Sequence, residues 1–143
     1  MFSDTSKNGE YNFDKYKISS SLTNNLKTFK SIFEDDDMLR TRVCKNKNTA
    51  FLVFYIDGMV KTDTVNSSVI KPLIELTGEN DYTLDDVASY LLYAGEIKKS
   101  DNLDDIITSM LYGDTILFKE GVPSALIINT KGWETRGVSE PEN

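Results

Sequence analysis

Carboxylates are the side chains of this sequence that could carry out chemistry, and they occur in three clusters. Residues 34–37 are four adjacent acids, and Asp85 with Asp86 and Asp104 with Asp105 form two pairs. Paired carboxylates can serve as the general acid and base of a hydrolase, and several carboxylate oxygens together can bind Ca²⁺. One hypothesis for function is therefore an acid-based or metal-dependent hydrolase that uses these Asp clusters.

The sequence around the acids favours a simpler interpretation. The run at 34–37 lacks the alternating ligands, the glycine and the distal glutamate of a calcium-binding EF-hand loop, so it predicts a solvated turn. The two Asp pairs begin predicted helices, where carboxylates complement the helix dipole. We therefore predict no catalytic residue, no metal ligand and no cofactor.

The chain contains one cysteine, Cys44, and no histidine. The absence of histidine removes the usual general base and the usual zinc ligand together. Arg42 and Lys45 lie beside Cys44 and are expected to lower its pKa, but a thiol nucleophile normally needs a base elsewhere in the fold. The glycines also lack the spacing of a phosphate-binding loop.

Composition narrows the function classes further. The chain has 143 residues and a net charge of -7, and the acidic excess lies after residue 47. No basic stripe interleaved with aromatic residues is present, which argues against nucleic-acid binding. No apolar run reaches the roughly 20 residues that span a bilayer, and the N-terminus does not resemble a signal peptide. We expect a soluble domain.

Hydrophobic periodicity predicts an α/β fold: a mixed sheet of four or five strands with helices packed on it and at least two hairpins. Residues 1–17 are expected to be a mobile tail, 18–138 a single domain, and 139–143 the start of a linker. Residues 50–56 form a continuous apolar run, which predicts a central strand covered on both faces. The predicted helices begin near residues 21, 62, 83 and 102, and the other predicted strands cover 39–44, 96–100, 114–119 and 124–129.

Several short motifs recur in a specific order along the chain. A predicted helix ends in Gly113-Asp114-Thr115, an apolar strand runs to Gly121, and a second strand leads to Gly132-Trp133-Glu134-Thr135-Arg136 and then Glu140-Pro141-Glu142. Earlier, "DDDMLRTR" precedes "FYIDGMV", an apolar strand that ends in Asp57-Gly58. Over about residues 20–143 this combination resembles the A subunit of the GerA-type bacterial spore germinant receptors.

The resemblance implies a place for the chain in a larger receptor. A subunits of that family continue into further soluble sequence and then several membrane-spanning helices, so the chain resembles the first subdomain of the N-terminal soluble domain. The implied partners are the receptor's B and C subunits, the rest of the A subunit and a possible small-molecule germinant. The implied location is the inner membrane of the spore, with this domain on the spore-core side and the membrane reached only through sequence beyond residue 143. The implied role is nutrient sensing or signal coupling, without enzymatic activity.

The resemblance carries over no ligand-binding residue, but it marks family-motif positions as interface candidates. Asp57 is expected in a turn and Asp114 at the start of a strand. Trp133 is expected to cap the edge of the sheet, while Glu134 and Arg136 are expected to pair with groups on a neighbouring subdomain. The complete set of candidates is Asp57, Gly58, Gly113, Asp114, Thr115, Gly132, Trp133, Glu134 and Arg136.

Overall fold

The computed structural model of the chain describes residues 16–45, 49–76, 81–91 and 94–131. Five strands and four helical segments alternate along these ranges. The strands are β1 (Leu39–Lys45), β2 (Ala50–Ile56), β3 (Ile97–Ser100), β4 (Asp114–Lys119) and β5 (Ala125–Asn129). The helices are α1 (Leu22–Ile32), α2 (Thr62–Val65), α3 (Lys71–Glu75), α4 (Leu84–Tyr90) and α5 (Leu103–Leu111), and a π-helical turn (Asn66–Ile70) joins α2 to α3 in one segment.

The five strands form one sheet in the order β1-β2-β4-β5-β3. The predicted number of strands, the packed helices and the two hairpins, β1–β2 and β4–β5, are confirmed. The sheet was predicted to be mixed, however, and every pairing between the described strands is antiparallel. The reason lies in the strand order: α5 carries the chain back between β3 and β4, which therefore run in the same direction, but β5 lies between them in the sheet and pairs antiparallel with both.

Strand β2 lies between β1 and β4, and its residues from Phe51 to Ile56 are all buried. Because successive side chains of a strand point to opposite faces, β2 contributes to two hydrophobic cores. One core packs the sheet against α1 and α5, and in it the ring of Phe29 stacks on Phe54 at 4.5 Å and meets Phe118 edge-on at 5.6 Å. The other core packs the opposite face against the 62–75 segment and α4. The predicted central strand is thus confirmed.

Side-chain caps fix where the helices begin. The Ser21 hydroxyl accepts a hydrogen bond from the amide of Asn24, and the Asn102 side chain accepts one from the amide of Asp105. Thr83 and Asp86 form a capping box, in which each side chain accepts a hydrogen bond from the other residue's backbone amide at 3.0 Å. Capping and the helix dipole therefore account for both Asp pairs, which lie in the first turns of α4 and α5.

Pro72 shapes the helical segment 62–75. The π-helical turn precedes Pro72, which lies in the first turn of α3. Proline has no amide to donate, and its ring crowds the carbonyl group four residues earlier, so a wider turn accommodates it. Among the described helices, none is long and apolar enough to cross a membrane.

Candidate functional site

The antiparallel sheet brings distant motif residues together at one of its two ends. At this end β2 and β5 finish while β1, β3 and β4 begin, and we call it the exit end because the last described residue, Lys131, lies there. Isolated bridges link Asp57 to Val60 and Val60 to Lys131, so the segments that follow β2 and β5 cross the start of β4. Asp57, Gly58, Gly113, Asp114 and Thr115 all lie at the exit end.

The other four candidates, Gly132, Trp133, Glu134 and Arg136, fall outside the described residues. The expected capping of the sheet edge by Trp133 and the expected pairing of Glu134 and Arg136 stay predictions.

Gly113 permits the closest approach of backbones at the exit end. Its φ is +99°, and a Cβ at this position would lie 2.6 Å from the carbonyl oxygen of Met59 and 3.3 Å from the Cα of Lys131. Both the positive φ and the lack of space require glycine. The glycine therefore lets three separate segments of the chain pack directly on one another.

Asp114 and Lys131 form a mostly buried ion pair beside this glycine. The Lys131 Nζ lies 2.7 Å from Asp114 Oδ1, and the two side chains are 22% and 10% exposed, respectively. Asp114 begins β4, as predicted, and its side chain is buried. The ion pair holds the segment after β5 against the start of β4.

Two buried threonines complete the connection. The hydroxyl oxygens of Thr115 and Thr130 lie 2.6 Å apart, and the Thr130 hydroxyl donates to the carbonyl oxygen of Gly113 at 3.1 Å. Since Thr130 uses its only hydroxyl proton on Gly113, Thr115 is the donor to Thr130. Thr130 and Lys131 were not among the predicted site residues. The register of the β4–β5 hairpin could have identified them, because it sets Asp114 opposite Asn129 and so places the next two residues beside the start of β4.

The rim of the exit end is exposed and partly apolar. Arg40 Nη2 donates to Asp57 Oδ2 at 2.9 Å, and both side chains remain accessible to solvent. Met38 directly precedes β1 and is 42% exposed. Tyr112 directly precedes the turn into β4 and is 60% exposed. The exit end thus combines a rigid, buried polar centre with accessible hydrophobic side chains, an arrangement suited to binding another protein surface.

The acidic run at 34–37 forms the predicted solvated turn between α1 and β1. Glu34 and Asp35 adopt left-handed backbone conformations, with φ of 55° and 56°. Asp36 Oδ1 accepts a hydrogen bond from the amide of Met38 at 2.8 Å, and so acts within the turn. In the part of the chain that the structure describes, no three histidine, cysteine, aspartate or glutamate side chains converge on a possible metal position.

Cys44 is buried, with 5% of its surface exposed, in the core formed with the 62–75 segment and α4. The expectation that neighbouring cations lower its pKa is wrong, because burial raises the pKa of the thiol and the opposing effect of Arg42 is smaller. A raised pKa leaves less of the nucleophilic thiolate at neutral pH.

We expect iodoacetamide to alkylate Cys44 in the folded protein at pH 8 at least about tenfold more slowly than in the urea-unfolded chain. The alkylation rate of the folded protein should still rise with pH where an exposed thiol is already fully ionised, because the raised pKa of Cys44 shifts formation of its thiolate to higher pH. Mass spectrometry of timed samples measures both rates. Replacing Arg42→Met should slow the reaction further, and equal rates in the folded and unfolded protein would contradict the assignment.

Comparison with known proteins identifies the family to which the chain is related. The model of the family described as Bacillus/Clostridium GerA spore germination protein matches residues 25–143. The chain belongs to the GerA family. The resemblance inferred from the Gly-Asp-Thr and Gly-Trp-Glu motifs is thereby confirmed at the level of the family.

Individual GerA relatives are considerably longer than this chain. It is 27% identical over 128 residues to spore germination protein KA of Bacillus subtilis (strain 168), an alignment that covers 87% of the chain and 24% of the relative. It is 27% identical over 94 residues to spore germination protein GerLA of Bacillus cereus, covering 65% of the chain and 19% of the relative. The chain therefore spans about a quarter or less of the length of these two relatives.

The GerA chain also shares its fold with a solved structure. The crystal structure of the N-terminal domain of the A subunit of the Bacillus megaterium spore germinant receptor GerK3 superimposes with a TM-score of 0.69 and 20% sequence identity. The match covers 82% of this chain and 49% of the other.

Proposed function

We propose that this GerA-family chain is the first subdomain of the N-terminal domain of a germinant receptor A subunit, and that its exit end couples it mechanically to the rest of the receptor. In this proposal residues 18–138 form the subdomain, and the chain from residue 139 onward is the start of a linker to the next subdomain. The role is signal coupling during germination, without catalysis.

The observation that carries the proposal is the convergence of the family-motif residues at the exit end. Gly113, Asp114 and Thr115 hold the segments that follow β2 and β5 in fixed positions. The described part of the chain ends at Lys131, beside this rigid point. A displacement of the part of the protein that follows would therefore be transmitted to β4 and β5. A displacement of β4 and β5 would likewise be transmitted to the part that follows.

The exposed rim supports a protein partner at the same end. Two of the five large hydrophobic residues that are exposed in the described part of the chain, Met38 and Tyr112, lie there. The partners that we propose are the adjoining part of the A subunit and the B and C subunits of the receptor. The proposed location is the inner membrane of the spore, with this domain on the core side, and it rests on the germination proteins among the relatives.

Germination of spores that carry rim variants tests this proposal. We expect Met38→Ser combined with Tyr112→Ser, in the natural protein that contains this chain, to slow nutrient-triggered germination by about tenfold, as expected when interface anchors are truncated. The fall in optical density of the spore suspension measures the rate, in a strain whose only germinant receptor is this one. Immunoblots of the spore membranes report how much of the A subunit is present.

Val43→Ser combined with Ile74→Ser is the matched control. Val43 and Ile74 are 52% and 57% exposed, fractions close to those of Met38 and Tyr112, but they lie away from the exit end. We expect the control spores to germinate at the wild-type rate. Rim variants that accumulate normally and germinate as fast as the control would refute a coupling role for the exit end.

A further inference from the structure

A cleft lies at the end of the sheet opposite the exit end, between the start of α4 and the β4–β5 hairpin. We call it the far cleft, and its volume is about 440 Å³. Leu84 and Val122 contribute apolar surface, and the charged residues of the lining are Asp81, Asp85, Glu120, Lys99 and Lys119. None of these residues belongs to the family-motif positions, and none takes part in the contacts at the exit end.

Lys119 is the unusual residue of the far cleft because it is a buried cation. It is the last residue of β4, and its side chain is only 8% exposed. Lysine is almost never fully buried unless its charge is compensated, since removing an ammonium group from water is costly. The Lys119 Nζ lies 3.0 Å from Asp81 Oδ1 and 3.4 Å from the backbone carbonyl oxygen of Glu120.

The two partners of this ion pair differ in their access to water. The Asp81 side chain is 69% exposed, so its carboxylate loses little by leaving Lys119 and becoming fully hydrated. The ammonium group of Lys119, by contrast, needs an anionic partner in place. This asymmetry makes Asp81 a replaceable occupant of a position that accepts a carboxylate.

A second lysine lies on the same face of the sheet. Lys99 of β3 is opposite Leu126 of β5, and its Nζ is 3.3 Å from Asp85 Oδ1. Both members of this pair are at least half exposed, so it contributes little energy and rearranges readily. Two ammonium groups therefore line one cleft, each paired with an aspartate from the same short stretch of chain.

We propose that the far cleft binds a small organic carboxylate, whose carboxylate group replaces Asp81 on Lys119 and whose apolar part packs against Val122 and Leu84. The apolar lining favours an organic acid over an inorganic anion, because an apolar substituent gains from leaving water. Release of Asp81 changes the contact between the start of α4 and β4. This inference does not rest on the coupling role proposed for the exit end.

Opposite effects of two substitutions provide the test. In NMR titrations of the ¹⁵N-labelled protein, we expect propionate to shift the amide signals of Gly121, Val122 and Ser124 saturably, whereas sodium chloride at equal ionic strength does not. Asp81→Asn should tighten propionate binding by about fivefold, the factor that removal of ~1 kcal/mol of internal competition gives. Lys119→Met should abolish the saturable shifts.

Lys98→Met is the matched control, since Lys98 is exposed on the neighbouring position of β3 and projects from the opposite face of the sheet. Its propionate affinity should equal that of the unmodified protein, and thermal unfolding verifies that each variant is folded. Absence of saturable binding in both the unmodified protein and Asp81→Asn would overturn the proposal. Undiminished binding by Lys119→Met, or phosphate binding as tightly as propionate, would also overturn it.

Discussion

Replacement of Gly113→Ala is expected to lower the free energy of unfolding by about 4 kcal/mol, the largest effect that we predict for a single methyl group in this domain. Gly113 has a φ of +99°, which an alanine adopts only with strain. The added Cβ would also lie 2.6 Å from the carbonyl oxygen of Met59, so the backbone after β2 must move. Urea unfolding monitored by circular dichroism measures the loss.

Gly121 offers a control with nearly the same backbone and no steric conflict. Its φ is +92°, and nothing lies within 4 Å of a Cβ built at this position. Gly121→Ala should therefore show only the conformational cost, about 1.5 kcal/mol. If the two variants lose equal stability, the close approach of Met59 to Gly113 has no energetic weight and the exit end is less tightly packed than the distances indicate.

Replacement of Lys131→Met should lower the free energy of unfolding by about 3 kcal/mol. The change leaves the Asp114 carboxylate, which is 10% exposed, without its cationic partner at 2.7 Å. An unpaired buried charge costs more than the lost attraction alone, because the group stays desolvated. The same urea titration measures this effect.

Two further variants separate the buried charge from general damage at the exit end. Adding Asp114→Asn to Lys131→Met removes the unpaired charge, so the double variant should recover part of the lost stability. Arg40→Met removes the exposed ion pair to Asp57 at 2.9 Å and should leave the unfolding midpoint unchanged within error. A double variant less stable than Lys131→Met would show that Asp114 has another essential partner.

These two large effects would locate the rigid part of the domain at the exit end, where the proposed coupling takes place. The polar contacts there are short and buried, and they connect segments that are far apart in sequence. Such contacts break together rather than one at a time, since each holds the others in register. A rigid junction of this kind transmits movement, whereas the exposed Lys99–Asp85 pair of the far cleft rearranges at little cost.

Local features were predictable from the sequence because their causes lie within a few residues. The capping box of Thr83 and Asp86 depends on a spacing of three residues, and the central position of β2 follows from its unbroken apolar run. The hairpins follow from two apolar runs separated by a short polar turn. The positive φ of Glu34 and Asp35 belongs to a turn that was predicted, although neither residue type requires that conformation.

The GerA family was also determined by the sequence alone, since an ordered set of short motifs identifies it without coordinates. Tertiary structure alone decided which charges are buried and which partners they have. Asp114 meets Lys131, Thr115 meets Thr130 and Lys119 meets Asp81 across 15 to 38 residues of chain, distances fixed by strand register and helix placement. The pKa of Cys44 illustrates the physical reason: its sequence neighbours are cationic, but the helices packed over β1 exclude water, and desolvation outweighs their charge.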